Sequence, residues 1–251
     1  MCYSAGMSFS LAAVGALCTI ASVVDPVLRR QLVYVPFAFY TCMELLQGVQ
    51  YSHVNLCGSL ANATSTEIAY VLVIVQPLMW NLLYYLRTPA TDCDRRLFVV
   101  GMAMAVVWMA FSLAARLLSG QPGFQRRTND VHSYVADPDA GASAATANGC
   151  TMQATPENHL YWKWASADFH GVDANWLMYL MIWFVPALLC ATQRRNVSIA
   201  IAAAAIAVGV TFKYGAKMAE FSSLWCMYSI PLLTVMLVDL AVSQFKGVGS
   251  R

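Results

Sequence analysis

The sequence predicts an all-α membrane protein: a bundle of seven transmembrane helices with the N-terminus outside and the C-terminus in the cytoplasm. Three observations carry that reading. Of the 251 residues 59% are hydrophobic and only 11% charged, against roughly 25% charged in an ordinary soluble domain. Seven apolar stretches approach the length at which a helix crosses hydrocarbon with every backbone amide paired internally. The arginines, finally, gather in alternate connections between those stretches.

Hydropathy sets the spans near 7–24, 32–53, 67–86, 97–118, 174–192, 197–213 and 221–243. The first has no basic residue before it and runs into Asp25, Pro26, Arg29 and Arg30 rather than a small-residue cleavage site, so it reads as a retained span, not a signal peptide. The second carries Glu44 near its middle. The third contains Gln76-Pro77, and the seventh contains Pro231. Between the fourth and fifth lies a long outer loop, 119–173. An alanine-rich stretch from Ala140 to Ala147 reads there as a flexible insertion, and the aromatic run His159-Leu160-Tyr161-Trp162-Lys163-Trp164 reads as a segment at headgroup level. The whole chain, 1–251, is expected to form one membrane domain.

Orientation follows from the basic residues. Arg29, Arg30, Arg87, Arg95, Arg96, Arg194, Arg195, Lys246 and Arg251 fall on one side; Arg116, Arg126, Arg127, Lys163, Lys213 and Lys217 fall on the other, mostly diluted in the long loop. The positive-inside rule puts the first group in the cytoplasm. A net charge of +2 spread over short loops gives no nucleic-acid surface. The partner it implies is the lipid bilayer, with a second copy or another membrane subunit as a further candidate. The sequon Asn62-Ala63-Thr64 falls in an outer loop, but a three-residue match carries little weight.

The same topology sorts the eight cysteines. Cys18, Cys42, Cys93 and Cys190 fall within spans or on the reducing side, whereas Cys2, Cys57, Cys150 and Cys226 lie at or near the outer surface. Four cysteines allow three pairings. Loop positions favour Cys57–Cys150 and Cys2–Cys226, and four free thiols is the alternative.

An intramembrane carboxylate disfavours insertion by roughly 2.5–3.5 kcal/mol, so Glu44 is expected to face the bundle interior, find a partner or be protonated. At 100° per residue Tyr40, Glu44, Gln47, Gly48 and Tyr51 share one side of their helix. Gln76 and Asn81 of the third span and Ser229 of the seventh complete a candidate polar core. Two readings stand against each other: a path for a proton, cation or small polar solute, or hydrogen-bonded glue between helices, typically worth about 0.6 kcal/mol per contact. For the amides glue is the stronger reading; for Glu44 function is, because a neutral residue would serve as glue at a lower insertion cost.

Several chemistries lack their residues. His53, His132, His159 and His170 have no ligand-like spacing, so neither a metal nor another cofactor is expected. The last span has no lysine for a retinal Schiff base and no Asn-Pro-x-x-Tyr motif, and Tyr84-Tyr85-Leu86-Arg87-Thr88 lacks the acid–arginine pair of G-protein-coupled receptors. No nucleophile–base pair marks an enzyme.

Met1-Cys2-Tyr3-Ser4-Ala5, Met43-Glu44-Leu45-Leu46-Gln47, Gln76-Pro77 and Trp225-Cys226-Met227-Tyr228-Ser229 resemble blocks in a group of uncharacterised multi-pass membrane proteins, a domain of unknown function met in bacteria and algae. The resemblance spans most of the chain apart from the long loop, and implies no activity. The expected function is passage or exchange of a proton, cation or small polar solute, with a non-catalytic subunit or seven-span sensor that docks a partner through its outer loop as the alternative.

Overall fold

The computed structural model describes residues 4–88, 94–118, 124–127, 149–153, 159–163, 166–169, 176–191, 193–213, 228–231 and 233–234. It is mostly helical. Helix α1, Ala5–Val24, is capped by the Ser4 side chain, which accepts from the Met7 amide. Asp25 then caps the short helix α2, Pro26–Arg30, accepting from the Val27 and Leu28 amides. Pro26 sits at the first position, where its missing N–H goes unmissed. Leu32, with φ of 55°, turns the chain into α3, Tyr34–Gln50.

Helices α4, Leu60–Arg87, and α5, Arg95–Leu117, follow. At 1.5 Å per residue the 28 residues of α4 extend about 42 Å, more than a hydrocarbon core needs. Helices α6, Trp176–Leu189, and α7, Arg194–Lys213, come next, and residues 228–231 and 233–234 are helical.

Three of these helices, α1, α4 and α5, are long and apolar enough to cross a membrane; the apolar stretch of α6, Leu177–Leu189, is shorter. Among the described residues, the stretches expected as spans at 32–53 and 174–192 are helical over 17 and 14 residues. Of the stretch at 221–243, only 228–231 and 233–234 lie within the described residues.

Cross-helix hydrogen bonds define the two ends of the bundle. At one, Arg87 Nε donates to the Gln31 carbonyl at 2.6 Å and the Ala191 amide donates to Asp94 Oδ2 at 2.8 Å. These bonds bring together the starts of α3, α5 and α7 and the ends of α4 and α6. At the other end Gln50 Nε2 donates to the Ser65 carbonyl, and Arg116 at the close of α5 pairs with Glu67 near the start of α4. Consecutive helices among α3, α4, α5 and α6 are therefore antiparallel.

The segment expected as one irregular outer loop contains four short strands. Strand β1, Phe124–Arg127, pairs antiparallel with β4, Ser166–Phe169, and β2, Cys150–Met152, pairs antiparallel with β3, Tyr161–Lys163. Over its described part the aromatic run forms β3 and packs inward. His159, Leu160 and Trp162 are buried, and Trp162 Nε1 donates to Gln50 Oε1 at 2.9 Å. An indole whose N–H finds a partner can be buried without an unpaired donor. Ala140–Ala147 lie outside the described residues.

The core is aromatic. Trp80 of α4 lies between Tyr84 and Trp183 of α6, with centroids 5.6 and 6.0 Å away, and Tyr179 meets Trp183 edge-on at 5.6 Å. The opposite faces of the helices are exposed and aliphatic, with Leu17, Ile20 and Val24 on α1 and Val99, Val100 and Val107 on α5.

Candidate functional site

Helix α3 buries Tyr40, Met43, Glu44, Gln47 and Gly48, the face that 3.6-residue periodicity lays out from Tyr40 to Tyr51. Helix α1 packs on α3 through small residues. A Cβ on Gly15 would collide with Thr41 of α3 and come within 2.9 Å of Ile230, and one on Gly48 would come within 2.7 Å of the Phe9 ring. Glycine at these positions lets the helices approach until side chains touch backbone.

Glu44 and Gln47 sit in this seam with no exposure at all. Among the described residues neither oxygen of Glu44, nor either polar atom of Gln47, has a hydrogen-bond partner. Ser8 of α1, itself buried, faces the Glu44 carboxyl as a hydrogen-bonding neighbour that falls short of full hydrogen-bond geometry. An amide buried unpaired costs on the order of 1–3 kcal/mol in a protein interior, and an unpaired charge far more. Four such polar atoms within one helical turn are a strong departure from the rule that buried polar groups are satisfied.

The other members of the predicted polar core belong elsewhere. Tyr40 accepts from Trp80 Nε1 at 3.1 Å, and Gln76 Oε1 accepts from the Tyr179 hydroxyl at 2.5 Å. Asn81 Nδ2 donates to the Pro77 carbonyl at 2.8 Å and to the Ile182 carbonyl of α6 at 2.9 Å. The second bond has a definite cause. Pro186 lies four residues after Ile182 inside α6 and has no N–H, so the Ile182 carbonyl loses its helical donor. Asn81 replaces that donor from the neighbouring helix.

Gly101 of α5 leaves the room this needs, because a Cβ there would strike the Asn81 amide oxygen and reach Pro186 Cγ at 3.0 Å. The expected meeting of Glu44 with Gln76 and Asn81 is therefore corrected. Glu44 bonds to neither, and the amides of α4 are committed to α6 as structural contacts. Ser229 is buried, and Ile230 beside it packs on Gly15 of α1.

At the opposite end from Arg87, Cys57 and Cys150 are at disulfide distance, with Cα atoms 5.2 Å apart across 93 residues of sequence. Cys2 and Cys226, the other expected pair, lie outside the described residues. Beside the bridge, Asn62 is fully buried. Its Nδ2 donates to the His53 carbonyl at 2.6 Å and the Thr151 carbonyl at 2.9 Å, while its Oδ1 accepts from the Thr151 amide at 2.9 Å. Thr66 and Thr151 share a hydroxyl bond at 2.7 Å.

Asn55, in the left-handed region with φ of 65° that asparagine tolerates, exchanges two bonds with the Gln153 backbone. The sequon asparagine is thus a clamp between α4 and β2. Expressed in a glycosylating host, the chain is expected to run at its unmodified mass at Asn62. Asn62→Ala, which strands the Thr151 amide and carbonyl, is expected to lower stability by about 1–3 kcal/mol, as read by thermal unfolding in detergent.

Sequence reasoning missed the α1 side of the Glu44 seam, Ser8 and Phe9, and the α6 partners Tyr179 and Ile182. Pro186 was legible, since a proline inside an apolar stretch announces a free carbonyl four residues earlier; which helix answers it was not. Among the described residues no three His, Cys, Asp or Glu side chains cluster as metal ligands.

No curated protein and no solved structure matches the chain. A family model does, over residues 6–246, and by it the chain belongs to the Family of unknown function (DUF5765).

Proposed function

We propose that the chain is a multi-pass membrane protein of seven spans, N-terminus outside, that passes or exchanges a proton, a cation or a small polar solute, with Glu44 as the exchanging group. Membrane residence is supported by the three bilayer-length apolar helices and by the exposed aliphatic faces of α1 and α5, which water would not solvate. The orientation is supported by the arginines at the Arg87 end and the cysteine pair at the other, since bridges persist in oxidising compartments.

One observation carries the transport reading: Glu44 and Gln47 are completely buried with their polar atoms unsatisfied among the described residues. A residue kept only to hold α1 against α3 would make at least one bond across the seam, as the Asn81 Nδ2 does across α4 and α6 although its Oδ1 is unpaired among the described residues. A carboxyl and an amide held ready in a dry seam suit a group that binds and releases a proton or small ligand as the helices part.

The test is flux in liposomes reconstituted with the full chain. Entry of protons, sodium ions and glycerol is followed separately. At least one is expected to exceed the protein-free rate and to fall about tenfold or more in Glu44→Gln. That substitution keeps shape and hydrogen bonding but cannot ionise, so unchanged flux in it defeats the proposal.

A second reading, a non-catalytic subunit or sensor that docks a partner through its outer segment, is favoured by the way Cys57–Cys150 and Asn62 hold β2 to the helix ends. A fixed partner that co-purifies with the intact chain, and is lost when the outer segment is replaced, would select it.

A further inference from the structure

We infer that the end of the bundle carrying Arg29, Arg30 and Arg96 is a binding surface for the phosphate groups of anionic phospholipids. The inference rests on the membrane reading above but not on transport. Two tertiary contacts gather the arginines: Arg87 bonded to Gln31 ties the end of α4 to α2, and Asp94 bonded to Ala191 ties the start of α5 to the turn before α7. Arg95 reaches back over the Tyr85 ring, 4.0 Å from its centroid, and Arg194 covers the Leu188 and Leu189 carbonyls.

The carboxylates described at this end are committed elsewhere. Asp25 caps α2 and Asp94 holds the Ala191 amide. Arg29, Arg30 and Arg96 are exposed, and none is in an ion pair among the described residues. The other end follows the opposite rule, since Arg116 is neutralised by Glu67.

What adjoins the free arginines identifies the ligand. Val24 and Val27 beside Arg29 and Arg30, and Val99 and Val100 one turn beyond Arg96, are all exposed. A guanidinium above an aliphatic flank matches a phosphate above an acyl chain, and the planar fork takes phosphate oxygens two at a time. A free phosphate would use the cations and leave the aliphatic flank in water. An acidic peptide would likewise gain nothing from a flank that continues into the apolar faces of α1 and α5.

The experiment uses the full chain in nanodiscs of phosphatidylcholine doped with phosphatidylglycerol, and measures enrichment of the anionic lipid around the protein. Enrichment of about tenfold over phosphatidylcholine is expected at low salt, falling as salt rises. The triple variant Arg29→Gln, Arg30→Gln, Arg96→Gln is expected to lose most of it. The corresponding lysine triple retains a substantial part, which separates loss of charge from loss of fold. Arg126→Gln with Arg127→Gln, on β1, leaves enrichment unchanged.

Equal enrichment in the wild type and the glutamine triple, or displacement of the lipid by millimolar inorganic phosphate, would overturn the inference while leaving the membrane reading intact. Failure of the wild type to enter discs of pure phosphatidylcholine would overturn both.

Discussion

Cys57→Ser with Cys150→Ser is expected to cost the largest share of stability of any change outside the helices, about 2–5 kcal/mol, because the bridge closes a loop of 93 residues and its loss frees that loop in the unfolded ensemble. The position of the bridge explains why the effect should extend beyond the thiols. Strand β2 is held by three kinds of bond: the bridge at Cys150, the Asn62 side chain on both backbone groups of Thr151, and the shared hydroxyl of Thr66 and Thr151.

Strand β3 pairs with β2, and its Trp162 reaches Gln50 at the end of α3. With the bridge gone, the hydrogen bonds must alone hold a strand whose partners on α4 are far from it in sequence. Hydrogen exchange read by mass spectrometry checks this: faster exchange over 150–153 and 159–163 with α4 and α5 unaltered is expected. Equal protection in the serine double variant and the wild type would mean that the Asn62 clamp is sufficient by itself.

The second large effect is expected where α4, α5 and α6 meet. Gly101→Ala places a methyl group against the Asn81 amide and Pro186 Cγ, and overpacking of this kind costs about 1–3 kcal/mol. Asn81→Ala costs about 1–2 kcal/mol, because the Ile182 carbonyl that Pro186 leaves unpaired loses its replacement donor. The two losses should not add. Once Asn81 is shortened, the alanine at 101 no longer meets it, so the double variant is expected to be more stable than the sum of the singles by about 1 kcal/mol. A double-mutant cycle on unfolding in mixed micelles measures that coupling. Strict additivity would show that Gly101 and Asn81 do not share the space the structure gives them.

The replacement of a missing helical donor from another helix also explains how a proline is carried in an apolar helix. Pro186 removes one bond from α6. Ile182 is buried, out of reach of water, so the repair must come from protein. Asn81 repairs it from α4, a contact of the kind the sequence favoured for its amides. Gln76 is committed in the same way by the Tyr179 hydroxyl. Glu44 and Gln47 differ from both: they are as deeply buried, they lie one helical turn apart, and among the described residues nothing bonds them.

By itself the sequence determined what depends on residues close in the chain or on side-independent composition. It marked out the helical and apolar character of the chain, the buried face of α3, the burial of Glu44 and the pairing of Cys57 with Cys150. Those follow from periodicity and hydropathy, which act over a few residues. The tertiary structure alone decided which polar groups meet. Gln76 and Asn81 turned toward α6 rather than α3 because Tyr179 and the carbonyl freed by Pro186 offered bonds there, and Asn62 became a clamp because β2 came to rest on it. The aromatic run folded under as β3 because Gln50 stood ready to accept from Trp162. Contacts between residues 89 to 112 positions apart depend on how the helices pack, and no local pattern records that.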